Sequence, residues 1–113
     1  MRTSLLIAAT VAAAPVSTTR PGANGFADQL DRAMETMHQG MASAPRTGDP
    51  DHDFVTGMIP HHQGAIDMAR ALLLYGKDPS LRRLAEGIIA DQQTEIALMR
   101  RWLAQHPSTE EHR

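Results

Sequence analysis

An all-α fold, an antiparallel helical bundle of three long helices, follows from three features of the sequence. Apolar residues recur at steps of three and four through most of the chain, which is the helical period. The dipeptide Asp-Pro occurs twice, at Asp49-Pro50 and Asp78-Pro79. Each opens such a stretch with a capping carboxylate, followed by the residue favoured at the first helical position. No run of alternating apolar and polar residues competes as a strand.

The chain begins with Met1-Arg2-Thr3-Ser4, a short cationic stretch, and continues with the Ala-rich apolar run Leu5 to Ala14. That run has the length of a signal-peptide core and is too short to span a membrane. Residues 1–17 are expected to be a signal peptide, which makes this an exported protein, periplasmic or secreted. Residues 18–25, rich in Thr, Pro and Gly, read as a linker. The bundle domain is expected over 26–105 and a flexible polar tail over 106–113.

The first helix is expected from a cap at Asn24 or Asp28 to about Ala44, ended by Pro45. Phe26, Leu30, Ala33, Met34, Met37 and Met41 form one stripe along it. The second runs from Pro50 to Tyr75, with Gly76 as its C-cap. Its stripe, Phe54, Met58, His61, Ala65, Met68 and Leu72, is predicted to point inward, with His62 on its flank. Pro60 lies inside this helix and is expected to loosen it beside the histidines. The third helix runs from Pro79 to about Gln105. Its stripe is Leu81, Leu84, Ala85, Ile88, Gln92, Glu95, Met99, Trp102 and Leu103. Only Gly76-Lys77-Asp78 separates the last two helices, so they must lie antiparallel as neighbours of about 39 Å each. A three-helix chain is short of a four-helix bundle, so dimerisation is one way to complete it.

Composition narrows the function classes. The 113 residues suit one small domain, and a net charge of -2 gives no general attraction to nucleic acid or anionic membranes. With no cysteine, disulfides and thiolate metal sites are excluded. There is no nucleophile elbow, phosphate loop or hydrolase carboxylate pair. Glu35-x-x-His38 has the spacing of di-iron bundles, but no second such pair accompanies it, so oxidase chemistry is not expected. The protein reads as a non-enzyme.

What remains is a concentration of His and Met. Six of the seven methionines fall in the predicted helices. Counting outward from the second turn puts Met58 level with a position near 97, within a turn of Met99. The same count puts His61 and His62 beside Gln92 and Glu95. Counting from the first turn puts Met37 near Met58 and Met34 near His61. Thioether and imidazole are soft-to-borderline donors that suit Cu(I), and imidazole also accepts Cu(II). Glu95 and Gln92 would orient a ligating ring from outside the coordination sphere. The competing account is that Met34, Met37, His38 and Met41 are a core stripe, since methionine fills irregular cores well. The pattern leaves both accounts open.

Asp53-Phe54, Met58-Ile59-Pro60-His61-His62-Gln63-Gly64-Ala65-Ile66, Leu81-Arg82, and Gln92-x-x-Glu95-Ile96-x-x-Met99-x-x-Trp102 resemble the family named domain of unknown function 305, over roughly Asp49 to Ala104. The resemblance implies a ferritin-like helical bundle, export, and an association with copper binding and copper resistance. On matching positions it implies Met58, His61, His62, Met68 and Met99 as ligands and Glu95 as their support. Met34, Met37, His38 and Met41 are added from this sequence's own spacing. The expected function is Cu(I) sequestration or trafficking, with Ag(I) or Cu(II) as further ions. The expected partners are the metal ion, a second copy of the chain and a copper-transfer protein. The alternative is a metal-independent interaction or envelope-stress module with a Met-rich core.

Overall fold

The computed structural model describes residues 25–108. The segments expected as signal peptide and as most of the linker, and the tail beyond 108 with His112, lie outside the described residues. Within them the chain is all-α: α1 spans Gly25–Ser43, α2 Pro50–Tyr75 and α3 Pro79–Gln105. No helix among them is long and apolar enough to cross a membrane.

α1 starts one residue earlier than its stripe requires, and Asp28 sits in its first turn rather than capping it. Its end is built by Ser43, whose hydroxyl donates to the Gln39 carbonyl at 2.8 Å. Pro45 then prevents continuation. The connection to α2 is not a simple turn. Asp53, from the first turns of α2, accepts from the Thr47 and Gly48 amides at 2.7 and 3.0 Å. Thr56 donates to the Pro45 carbonyl at 3.0 Å. Gly48 takes φ +86, the one left-handed position that this path needs.

Both Asp-Pro signals act as read. The Asp49 carboxylate accepts from the Asp51 amide and that of Asp78 from the Leu81 amide, and Pro50 and Pro79 open their helices. Gly76 caps α2 with φ -76, so its glycine is not used for a left-handed turn. It is used for space: a Cβ there would meet the Leu72 carbonyl at 2.7 Å. Arg82 donates to the carbonyls of Leu73 and Gly76 at 2.8 and 2.9 Å, satisfying the end of α2 from the first turn of α3. α2 runs through Pro60 unbroken.

α2 is the middle of the molecule. α1 and α3 each pack along it, and they make no backbone contact with each other among the described residues. They lie on opposite sides of α2. On one side, a Cβ on Gly64 would sit 2.8 Å from Met37 and one on Gly40 2.7 Å from Pro60, so backbones approach closely there. On the other side, His62 meets Glu95 of α3. Ile66 and Ala69 follow His62 at helical spacing, and Ala71 follows Gly64. Residues two apart on a helix point about 200° from each other.

The core is therefore two thin seams. Among the described residues its buried apolar side chains are Ala33, Ile66, Ala69, Ala71, Ala85 and Ile96, and Ile66 is the one large side chain fully enclosed. The predicted inward stripe of α2 points into neither seam. It faces outward between α1 and α3, where Phe54 is 63% exposed. The matching stripes of α1 and α3 turn to the same side, leaving Met34, Leu81 and Leu84 open to solvent. The opposite face carries polar residues such as Arg32, Gln63, Asp67 and Arg70.

Candidate functional site

The His62–Glu95 contact fixes the register of α2 on α3. Met58 lies four residues before His62 and Met99 four after Glu95, so the two sulfurs share one level of that groove, as the sequence count anticipated. Met99 and Phe54 line a cleft of about 340 Å³ with Asp51, Val55, Leu98 and Trp102. Gln92 lies one turn further along, half-buried.

The α1–α2 register differs from the count by six or seven residues, nearly two turns. Gly25 abuts Tyr75, Gly40 abuts Pro60, and Met37 packs on Gly64. Met37 is thus level with Gly64 rather than Met58, Met41 is level with Ile59, and Met34 is level with Met68 rather than His61. The cause is the connection. Pinned by Asp53 and Thr56, residues 45–48 run extended beside the start of α2 and cover more distance per residue than a helix does. Met68, which the sequence count sets apart from the other donors, gains a level neighbour in Met34.

The two histidines exchange roles. His61 is exposed on the open face, whereas the His62 side chain is only 15% exposed. A single inward stripe presumes neighbours on one side of α2; with neighbours on two sides, His62 falls into the α3 seam. The imidazole centroids are 6.1 Å apart and the planes are inclined at 60°. Glu95 accepts from His62, so Nε2 carries a proton and the neutral ring keeps its lone pair on Nδ1. That Nδ1 is buried and has no hydrogen-bond partner. His38 is exposed, and helix phase turns it away from α2. His106, expected in a frayed tail, stacks on Trp102 at 4.3 Å and donates to its carbonyl.

Helix phase sorts the donors into two grooves on the open face. The groove between α1 and α2 is lined by Met34, Met37, Met41, His61 and Met68. The groove between α2 and α3 is lined by Met58 and Met99, with His62 beneath. None of these methionines is in the buried core. No three His, Asp or Glu side chains converge among the described residues. The donors that do gather are thioethers with one exposed imidazole.

The profile of the family described as "Domain of unknown function (DUF305)" matches residues 7–103. The chain belongs to the DUF305 family. The match takes in α1 and its methionines, beyond the stretch on which the motifs resemble the family. An "Uncharacterized protein L153" of Acanthamoeba polyphaga mimivirus is 46% identical over 46 residues. Those residues are 41% of this chain and 30% of that protein, so the similarity spans less than a third of the relative's length.

Two features of this DUF305 chain have no simple sequence signal. Asp53 holds the first connection, and its pKa is lowered chiefly by the Thr47 amide. Arg82 closes the second. Both stand in the quoted motifs, but their work depends on backbone groups that only folding brings near.

Proposed function

We propose that this DUF305 protein is an exported, non-enzymatic copper binder. Cu(I) is its principal ion, and it sequesters or hands on that ion outside the cytoplasm. The observation that carries this reading is the position of the methionines. Core filling calls for buried thioethers, and here the core is Ala and Ile while the six helical methionines line or border an open face beside His61. Thioether-rich sets select Cu(I), and Ag(I) with it. Methionine forms no disulfide, so such a set remains competent where paired thiols oxidise.

The donor chemistry fits the ion at two places. In the α1–α2 groove His61 would serve with Met37 and Met41, and Met34 and Met68 would extend the set. In the α2–α3 groove Met58 and Met99 would serve. The orphaned Nδ1 of His62 supports a ligand role there, with Glu95 fixing the tautomer from behind. Export rests on the leader-like Met1 to Ala14.

The test is anaerobic Cu(I) titration against a competing chelator, on the protein and on two variants. Met41→Leu/His61→Ala/Met68→Leu is expected to remove binding in one groove and Met58→Leu/Met99→Leu in the other. Binding by the parent no tighter than by both variants combined would defeat the proposal. A second reading, a metal-independent interaction module, has its own support in the exposure of Phe54, Leu81, Leu84 and Leu98. Melting with and without Cu(I) separates them. A ligand at 100 times its Kd that binds only the folded form adds about 2.7 kcal/mol, whereas the module's midpoint stays put.

A further inference from the structure

The three helices form a layer with two unlike faces. One is polar. On the other, helix phase collects the apolar stripes of all three helices around Phe54, Met58, His61, Ala65 and Met68 of α2. Leu84 at 58% and Phe54 at 63% exposure belong to this face, and so does Met34 at 38%. An amphipathic helix buries its apolar stripe against another element, and among the described residues the outward side of these stripes meets no other element. We infer that this face is covered by a second copy of the chain, packed face to face about a two-fold axis that passes beside His61 and Ala65.

Width, charge and area select that occupant. The face is three helices broad, so one added helix would fill one groove and leave the other open. No lysine or arginine lies on its stripes. The charged groups on or beside it are Asp31, Asp51, Asp91 and Glu95, and Glu95 is engaged by His62. That charge is wrong for an anionic membrane surface, which attracts basic rims. Its own copy presents the same apolar stripes, free of lysine and arginine, with the carboxylates beside them. A 26-residue α2 makes the face about 39 Å long, and helix spacing makes it about 18 Å between outer axes. That is on the order of 700 Å² per copy, close to the ~800 Å² per partner of a standard stable interface. A two-fold operator is the commonest closed symmetry and makes one patch serve both copies. Centring it on the face places it near the midpoint of α2, where Ala65 permits close approach. The His61 rings of the two copies then lie beside each other.

Pairing rests on apolar burial and not on copper, and it would set the methionines of the open face between two copies, so the two readings are tested apart. The test is sedimentation equilibrium of the metal-free protein, with helicity followed by circular dichroism. The protein is expected to be a dimer, and Phe54→Glu/Leu84→Glu is expected to shift it to monomer with helicity retained. Leu74→Glu, at an equally exposed position on the opposite face, is expected to leave the dimer intact. As a second readout, Ala65→Cys is expected to be captured as a dimer by a short bis-maleimide and Gln93→Cys is not. A monomeric parent, including one that instead pellets with anionic vesicles, would overturn the inference. So would a dimer that survives Phe54→Glu/Leu84→Glu, or capture of Gln93→Cys in place of Ala65→Cys. Copper titration of the same samples is scored separately, so loss of pairing and loss of metal binding are told apart.

Discussion

Gly64 and Gly87 are both mid-helix glycines, and their surroundings give them opposite meanings. A Cβ on Gly64 would lie 2.8 Å from the Met37 Cβ, whereas one on Gly87 would meet nothing within 4 Å. Gly64→Ala is expected to lower stability by about 1–3 kcal/mol through overpacking of the α1 seam. Gly87→Ala is expected to raise it by about 0.5–1 kcal/mol through helix propensity. Urea denaturation of the pair measures both. Asp53 acts through charge. Its folded pKa lies below the ordinary 3.8, chiefly because the Thr47 amide donates to it. A depressed carboxylate contributes stability above the ordinary pKa and loses it as pH falls through the folded value. Asp53→Asn should therefore melt lower than the parent at neutral pH. The gap should close as acid below pH 3.8 protonates the parent's Asp53, and thermal melts across that range check the sign.

At the scale of elements, the hairpin of α2 and α3 owes its precision to its ends. Asp78 caps one helix, and Arg82 completes the other through the Leu73 and Gly76 carbonyls. Arg82→Met keeps most of the apolar stem and leaves those acceptors without their cation. The expected loss is about 1–3 kcal/mol, read by chemical denaturation. The first connection shows how an element's position can escape prediction. Its length in residues is plain from the sequence, but its rise per residue is not. Extended backbone pinned by Asp53 and Thr56 moves α1 by nearly two turns, and the methionine levels move with it.

Across the whole molecule, two thin seams and one open apolar face leave much of the hydrophobic pattern unspent. Among the described residues Ile66 is the one large side chain fully buried, which is little core for three helices of this length. Copper, a second copy, or both would supply what the seams do not. Each predicts a higher melting midpoint, with metal in the first case and with protein concentration in the second.

The sequence by itself determined the helices, their ends, the antiparallel hairpin and the grouping of Met58 with Met99 and of His62 with Glu95. These follow from local rules: a 3.6-residue period, Asp-Pro starts and a three-residue turn that leaves no freedom of register. It also gathered many apolar residues of each helix onto one stripe, but those stripes left out Ile66, Ala69, Ala71 and Ile96, which make most of the buried core. Which way the stripes face was decided by tertiary structure alone. Small residues at Gly40, Gly64, Ala69 and Ala71 let neighbours settle on the two flanks of α2, at right angles to its stripe. That choice put His62 in a seam and His61 in the open, and set Met68 beside Met34. Periodicity records that a face is apolar; it carries no record of whether the cover comes from the same chain, because burial depends on which surfaces meet and not on which residues could be buried.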